Sequence, residues 1–149
     1  MINLRKEEDA NLKKQIRPLV ESYARTWPRE VIEMLNDRRA GRTADVASVT
    51  KILEQPGVYV LFKDDVPHYA GKATNLRKRL LTHMRIGGRY ANLWNHVSLF
   101  IIHDEAHRNA VESIVIASIG NAANSAKPRI KKIPVPARAL KKWRKQNNR

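Results

Sequence analysis

The sequence has 149 residues, 42% of them hydrophobic, with 29 Lys and Arg against 14 Asp and Glu and a formal net charge of +15. It is long enough for one domain with an extension, and too apolar for a disordered chain. The lack of Cys excludes disulfides, Cys-ligated zinc and thiolate catalysis. No apolar run approaches the ~20 residues of a membrane helix, and the start, MINLRKEEDANLKK, has no apolar signal stretch, so the expectation is a soluble cytoplasmic protein with no membrane partner.

Residues 1–56 read as helical. Leu12, Ile16, Leu19, Val20 and Tyr23 recur at helical spacing, with Pro18 as a kink or break. Pro28 suits a first helical turn ahead of Val31, Ile32, Met34 and Leu35, which Gly41 ends. Thr43 to Leu53 makes a third helix with Val46, Val49, Ile52 and Leu53 inward, and Gln55-Pro56-Gly57 breaks it.

The pattern then changes. Gly57 to Phe62 is a β-branched and aromatic run, hence a strand. Lys63 to Pro67 is a turn, and His68-Tyr69-Ala70-Gly71 is the second strand of a hairpin. Thr74 or Asn75 caps a helix from Leu76 to about Arg85, broken by Gly87-Gly88. Val97 to Ile102 is a third strand. A helix from His107 to about Ala122, with Asp104-Glu105 at its start, places Val111, Ile114, Val115, Ser118 and Ile119 on one face. The expected fold is α+β, a small mixed or antiparallel sheet of about three strands flanked by helices. The expected organisation is a helical extension over 1–56, a core domain over 57–130 and a basic tail over 131–149.

Charge divides the chain in the same way. Residues 1–56 hold 11 basic and 9 acidic residues, whereas residues 57–149 hold 18 and 5, with no acid between Asp65 and Asp104 or after Glu112. Such a surface seeks polyanions, nucleic acid first. The tail from Lys127 has 10 basic residues in 23. Lys127, Arg129, Lys131, Lys132, Lys141, Lys142, Arg144 and Lys145 are candidate phosphate contacts there, with Trp143 expected to pack. Lys72, Arg77, Lys78, Arg85 and Arg89 are candidates in the core domain. The polar loop from Arg85 to Asn95, with Tyr90 and Trp94, is a second contact candidate. No Gly-rich phosphate loop is present, so no nucleotide cofactor is expected.

Five features fall on these elements. Tyr59 closes Gly57-Val58-Tyr59 on the first strand, and Tyr69 opens Tyr69-Ala70-Gly71 on the second. Arg79 and His83 lie four residues apart and share a helix face. Glu112 is the lone acid of the last helix beyond its first turn, and Asn124 follows it by twelve residues. Hydrolysing a phosphodiester needs a base for water, a cation for the developing charge and help for the leaving group. A lone carboxylate with water and phosphate oxygens suits Mg²⁺, and a guanidinium fork suits phosphate.

The arrangement resembles the GIY-YIG nuclease superfamily over about residues 56–130. Gly57-Val58-Tyr59 is similar to the first motif. Tyr69-Ala70-Gly71 is similar to the second, with Ala where Ile is usual. The stretch Gly71 to Leu80 is similar to excision-repair incision nucleases, and Arg79, His83, Glu112 and Asn124 together look like GIY-YIG restriction enzymes. The resemblance implies a DNA endonuclease that needs Mg²⁺, with Mn²⁺ as substitute. It implies catalytic Tyr59, Tyr69, Lys72, Arg79, His83, Glu112 and Asn124, with Glu112 holding the metal and Tyr59 beside the attacking water. A free phenol at pKa ~10 is a poor base. Either Arg79, Lys72, His83 or the metal lowers it, or His83 accepts its proton. Restriction or defence is the first expected role, with a homodimer or sequential nicking for double-strand cutting. Repair or recombination cutting of particular structures is the second, and a silent nucleic-acid-binding module the third.

Overall fold

The computed structural model describes residues 2–16, 19–36, 43–85, 88, 91–119 and 127–147. In chain order these form α1 (Ile2–Ile16), β1 (Ser22–Pro28), α2 (Arg29–Asn36), α3 (Ala44–Leu53), β2 (Gly57–Lys63), β3 (Val66–Ala73), α4 (Leu76–His83), β4 (His96–Ile101), α5 (Glu105–Ser118) and α6 (Ala137–Asn147). The readings of Pro18, Gly41, Gly87, Arg89, Tyr90, Ala122 and Asn124 fall outside the described residues.

The fold is α+β, with four antiparallel strands in the order β1-β4-β2-β3. Side chains alternate across a strand, and both faces are used. On one face Tyr59, Leu61, Val97, Leu99 and Ile101 pack with Ile32 and Leu35 of α2, Leu53 of α3, Leu76 and Leu80 of α4, and Trp94. On the other, Val60 and Ala70 pack with Ile116 and Ile119 at the end of α5. So α4 and α5 lie on opposite faces of the sheet.

The fourth strand is a correction. Ser22–Pro28 reads as helix by periodicity but pairs with β4, Ser22 opposite Ile101 and Pro28 opposite His96. The pairing is irregular between Ala24 and Trp27. There Thr26 takes φ 44° and its N–H donates to buried Ser98 Oγ at 2.8 Å. Pro28 ends the strand on an edge, where a missing N–H costs no ladder bond.

The hairpin turn is tighter than the sequence suggests. Lys63 pairs with Val66, leaving Asp64 and Asp65 at φ 48° and 66°. Two left-handed residues match the right-handed strand twist, though Asp fits there less readily than Gly. Asn95 offsets the cost. Its Oδ1 accepts from the Asp64 N–H at 3.1 Å, and its Nδ2 donates to Asp64 Oδ1 at 2.8 Å.

Asn75 caps α4, its Oδ1 accepting from the Lys78 N–H at 3.0 Å, and Asp104 caps α5 through the His107 N–H at 2.9 Å. The α5 helix ends earlier than expected, because Ile119 leaves helical geometry at ψ 109°. Its inward residues include Ser113 and Ile116, while Ile114 and Ser118 face out. In α3, Thr50 replaces Ile52 on the buried face. Among the described residues, no helix is long and apolar enough to cross a membrane.

Candidate active site

Tyr59 sits in the middle of β2, 1% exposed, and opposes Gly71 on β3 and Leu99 on β4. A methyl group on Gly71 would stand 2.5 Å from the Tyr59 hydroxyl oxygen, so the second-motif glycine is the floor under this ring. Tyr69, two residues earlier, lies on the same face of β3. Leu76 and Leu80 bury α4 against the sheet. That anchors the last turn, where His83 is also buried and its carbonyl accepts from Trp94 Nε1 at 3.3 Å.

Three rings meet there. Ring centroids are 6.0 Å apart for Tyr59 and Tyr69, 5.5 Å for Tyr59 and His83, and 5.3 Å for Tyr69 and His83. The Tyr59 hydroxyl and His83 Nε2 share a hydrogen bond at 2.6 Å, in which the phenol can donate when that imidazole nitrogen is unprotonated. Burial, then Arg79, lowers the His83 pKa to about 4. Burial also pushes the Tyr59 phenol well above its ordinary value. Tyr69 and Glu112 push the same way and Arg79 opposes them. Among the protein groups, loss of solvation outweighs the lowering by Arg79. The hydrogen bond to His83 places an imidazole nitrogen where it could accept the phenol's proton.

Arg79 lies one turn before His83 and is exposed. Among the described residues its guanidinium has no hydrogen bond or ion pair. Glu112, half-buried on α5, is close enough for its charge to act on Tyr59. Arg108, one turn earlier on α5, is engaged elsewhere, donating to the carbonyls of Ile102 at 3.1 Å and His103 at 2.6 Å. Among the described residues Glu112 thus has no hydrogen-bonding or ionic partner, and no three His, Asp or Glu side chains stand together as a metal cluster. A single carboxylate fits a cation that keeps most of its water, as Mg²⁺ does, and not a fully protein-ligated site.

Lys72 is on β3 opposite Val58, and its ammonium donates to Asn109 Oδ1 on α5. Asn109 was not among the expected site residues. The available signal was its place three residues before Glu112, on the same helix face. Other candidates are not gathered into the site. Arg77 bridges to Glu54 at 3.5 Å and Asn36 at 3.3 Å, tying α4 to α3 and α2. Lys78 and Arg85 are exposed. Trp94 is core rather than a contact, 2% exposed and under the Arg29 guanidinium at 4.9 Å. In the tail, Lys127, Arg129, Lys131, Lys132, Lys141, Lys142, Arg144 and Lys145 are all exposed. Trp143, expected to pack, is 60% exposed on α6.

No protein-family model matches the chain. UvrABC system protein C of Hydrogenobaculum sp. (strain Y04AAS1) is 41% identical over 54 residues, 34% of this chain and 10% of that protein. The Deinococcus radiodurans protein of the same name is 53% identical over 34 residues, 23% of this chain and 6% of that protein. The chain thus matches a tenth or less of the length of these curated relatives. Among solved structures, the GIY-YIG N-terminal endonuclease domain of UvrC from Thermotoga maritima bound to its catalytic divalent cation (a point mutant) gives a TM-score of 0.44 at 24% identity. It covers 57% of this chain and 100% of that one. The same domain bound to magnesium gives 0.43 at 21% identity, covering 54% and 96%. The triplets Gly57-Val58-Tyr59 and Tyr69-Ala70-Gly71 lie on the paired strands β2 and β3, where Tyr59 stands opposite Gly71.

Proposed function

We propose that this chain is a divalent-metal-dependent endonuclease that hydrolyses phosphodiester bonds in DNA. The reading rests on the hydrogen bond from Tyr59 to His83, with Arg79 and Glu112 acting on the same phenol. Tyr59 takes a proton from the attacking water as it passes its own to His83 Nε2. The resulting hydroxide forms a bond to phosphorus, and the P–O3′ bond breaks. The 3′ oxygen then picks up a proton from solvent, leaving 5′-phosphate and 3′-hydroxyl ends. Arg79 neutralises charge on the phosphate. It also couples substrate to base strength, since its charge adds to burial in holding His83 neutral. A bound phosphate offsets that charge, so the imidazole becomes the better proton acceptor once DNA is in place. Glu112 would hold the cation, which when bound supplies Lewis-acid polarisation of the phosphate. Asn124 completes the proposed set.

The test is cleavage of supercoiled plasmid and single-stranded DNA with Mg²⁺ and then Mn²⁺, beside Glu112→Gln and Arg79→Ala. Wild type should give discrete products that EDTA abolishes. Each variant should fall about 10²–10³-fold while keeping a cooperative unfolding transition. Unaltered cutting by Glu112→Gln would sink the metal role. Retained binding with no cutting in any metal would instead point to a silent binding module.

The curated relatives named UvrABC system protein C and the stretch after Gly71, similar to excision-repair incision nucleases, favour a repair role. Restriction by double-strand cutting, the role first expected, would need two copies of the site. The exposed arm over 127–147 is the proposed backbone contact. If it neutralises about six phosphates, log K should fall with log salt at a slope of roughly −5. Titration at several salt concentrations checks this, and removing the arm should flatten the slope.

A further inference from the structure

We propose that Asn109 is a positioning residue for the phosphate site, holding the Lys72 ammonium in place with its charge intact. This rests on the nuclease reading above. One residue of α5 is out of character for a helix. Asn is a weak helix former, costing roughly 0.6 kcal/mol against Ala in a helix interior, yet Asn109 lies well inside Glu105–Ser118. Its side chain turns toward the sheet, where Oδ1 accepts from Lys72 Nζ. Glu112, three residues on, shares that side of the helix. An ammonium near a carboxylate ordinarily pairs with it, and such a pair would cancel both charges. Here the ammonium bonds to a neutral amide, and Glu112 has no ionic partner among the described residues. Lys72 stays a cation available to a phosphate, and Glu112 stays an anion available to a metal. A carboxylate at 109 would hold the lysine equally well but neutralise it. An apolar residue would leave it charged but unplaced.

These alternatives give separable outcomes. DNA binding would be followed by fluorescence anisotropy in EDTA across a salt series, and cleavage in Mg²⁺ at saturating DNA. Asn109→Asp should make the salt slope shallower by about 1, as Lys72→Ala should, and the double variant should go no further. Asn109→Leu should keep the wild-type slope and lose about 10²-fold in kcat. Asn109→Gln, which retains a neutral acceptor, should restore most of kcat. A wild-type slope in Asn109→Asp, full kcat in Asn109→Leu, or additive effects of Asn109→Asp and Lys72→Ala would overturn the proposal. Failure of the wild type to cut, with the slopes changing as stated, would overturn the nuclease reading and leave the positioning role standing.

Discussion

Tyr59→Phe should remain folded and cut DNA about 10²–10³-fold more slowly at neutral pH. The ring stays over Gly71, but the hydroxyl that reaches His83 at 2.6 Å is gone. A companion measurement isolates the histidine. Its folded pKa of about 4 lies below its unfolded value of 6.5, so folding favours the neutral imidazole. The stability this provides is fully present above about pH 6.5 and is lost as pH falls toward 4. The total is on the order of 3 kcal/mol. Urea titrations between pH 7 and pH 4 should show this loss, and His83→Leu should remove that part of the slope. The acid limb of kcat/KM, which reports the free enzyme, should fall near pH 4 rather than 6.5. An unchanged urea profile in His83→Leu would show that another group carries the pH dependence.

Gly57→Ala should disrupt the fold. A methyl group there would stand 2.0 Å from the Phe100 carbonyl oxygen and 2.8 Å from Leu76 Cδ1. The first neighbour is backbone in the central β2–β4 pair and cannot swing aside. Overpacking commonly costs about 1–3 kcal/mol and occasionally more, against a total stability of about 5–15 kcal/mol. We expect the upper end or beyond, seen as a large drop in Tm or as insoluble expression. Gly71→Ala is the informative contrast. Its methyl would meet the movable Tyr59 ring at 2.5 Å. The chain should fold, and cleavage should fall because the phenol is pushed off His83. Similar Tm losses in both variants would contradict the distinction between backbone and side-chain crowding.

Much of the site was legible in sequence because its signals are local. The triplets lie on a hairpin whose strands are β-branched and aromatic. The four-residue spacing of Arg79 and His83 fixes one helix face, and the Asn75 and Asp104 caps were readable from residue type. What could not be read is supplied from far along the chain. Tyr23 continues the helical spacing of Leu12 and Ile16, yet it is 64% exposed on a strand and stacks on Phe100 at 6.4 Å. Only β4, more than 70 residues later, makes that segment a strand. The rise in the Tyr59 pKa comes from burial among elements that sequence spacing does not weigh. Asn109 looks like any polar helix residue until β3 brings Lys72 against it. Trp143 illustrates the opposite error. An aromatic residue normally finds a core, but α6 has no buried residue and is basic along its length.

The sheet order leaves β3 at an edge, beside the site it helps to build. An open strand edge invites pairing with another chain, and proteins blunt such edges with proline and lysine. On β3 those residues are Pro67 and Lys72. The lysine proposed to meet a phosphate therefore also discourages intermolecular strand addition, so its replacement by an apolar residue would trade solubility as well as activity.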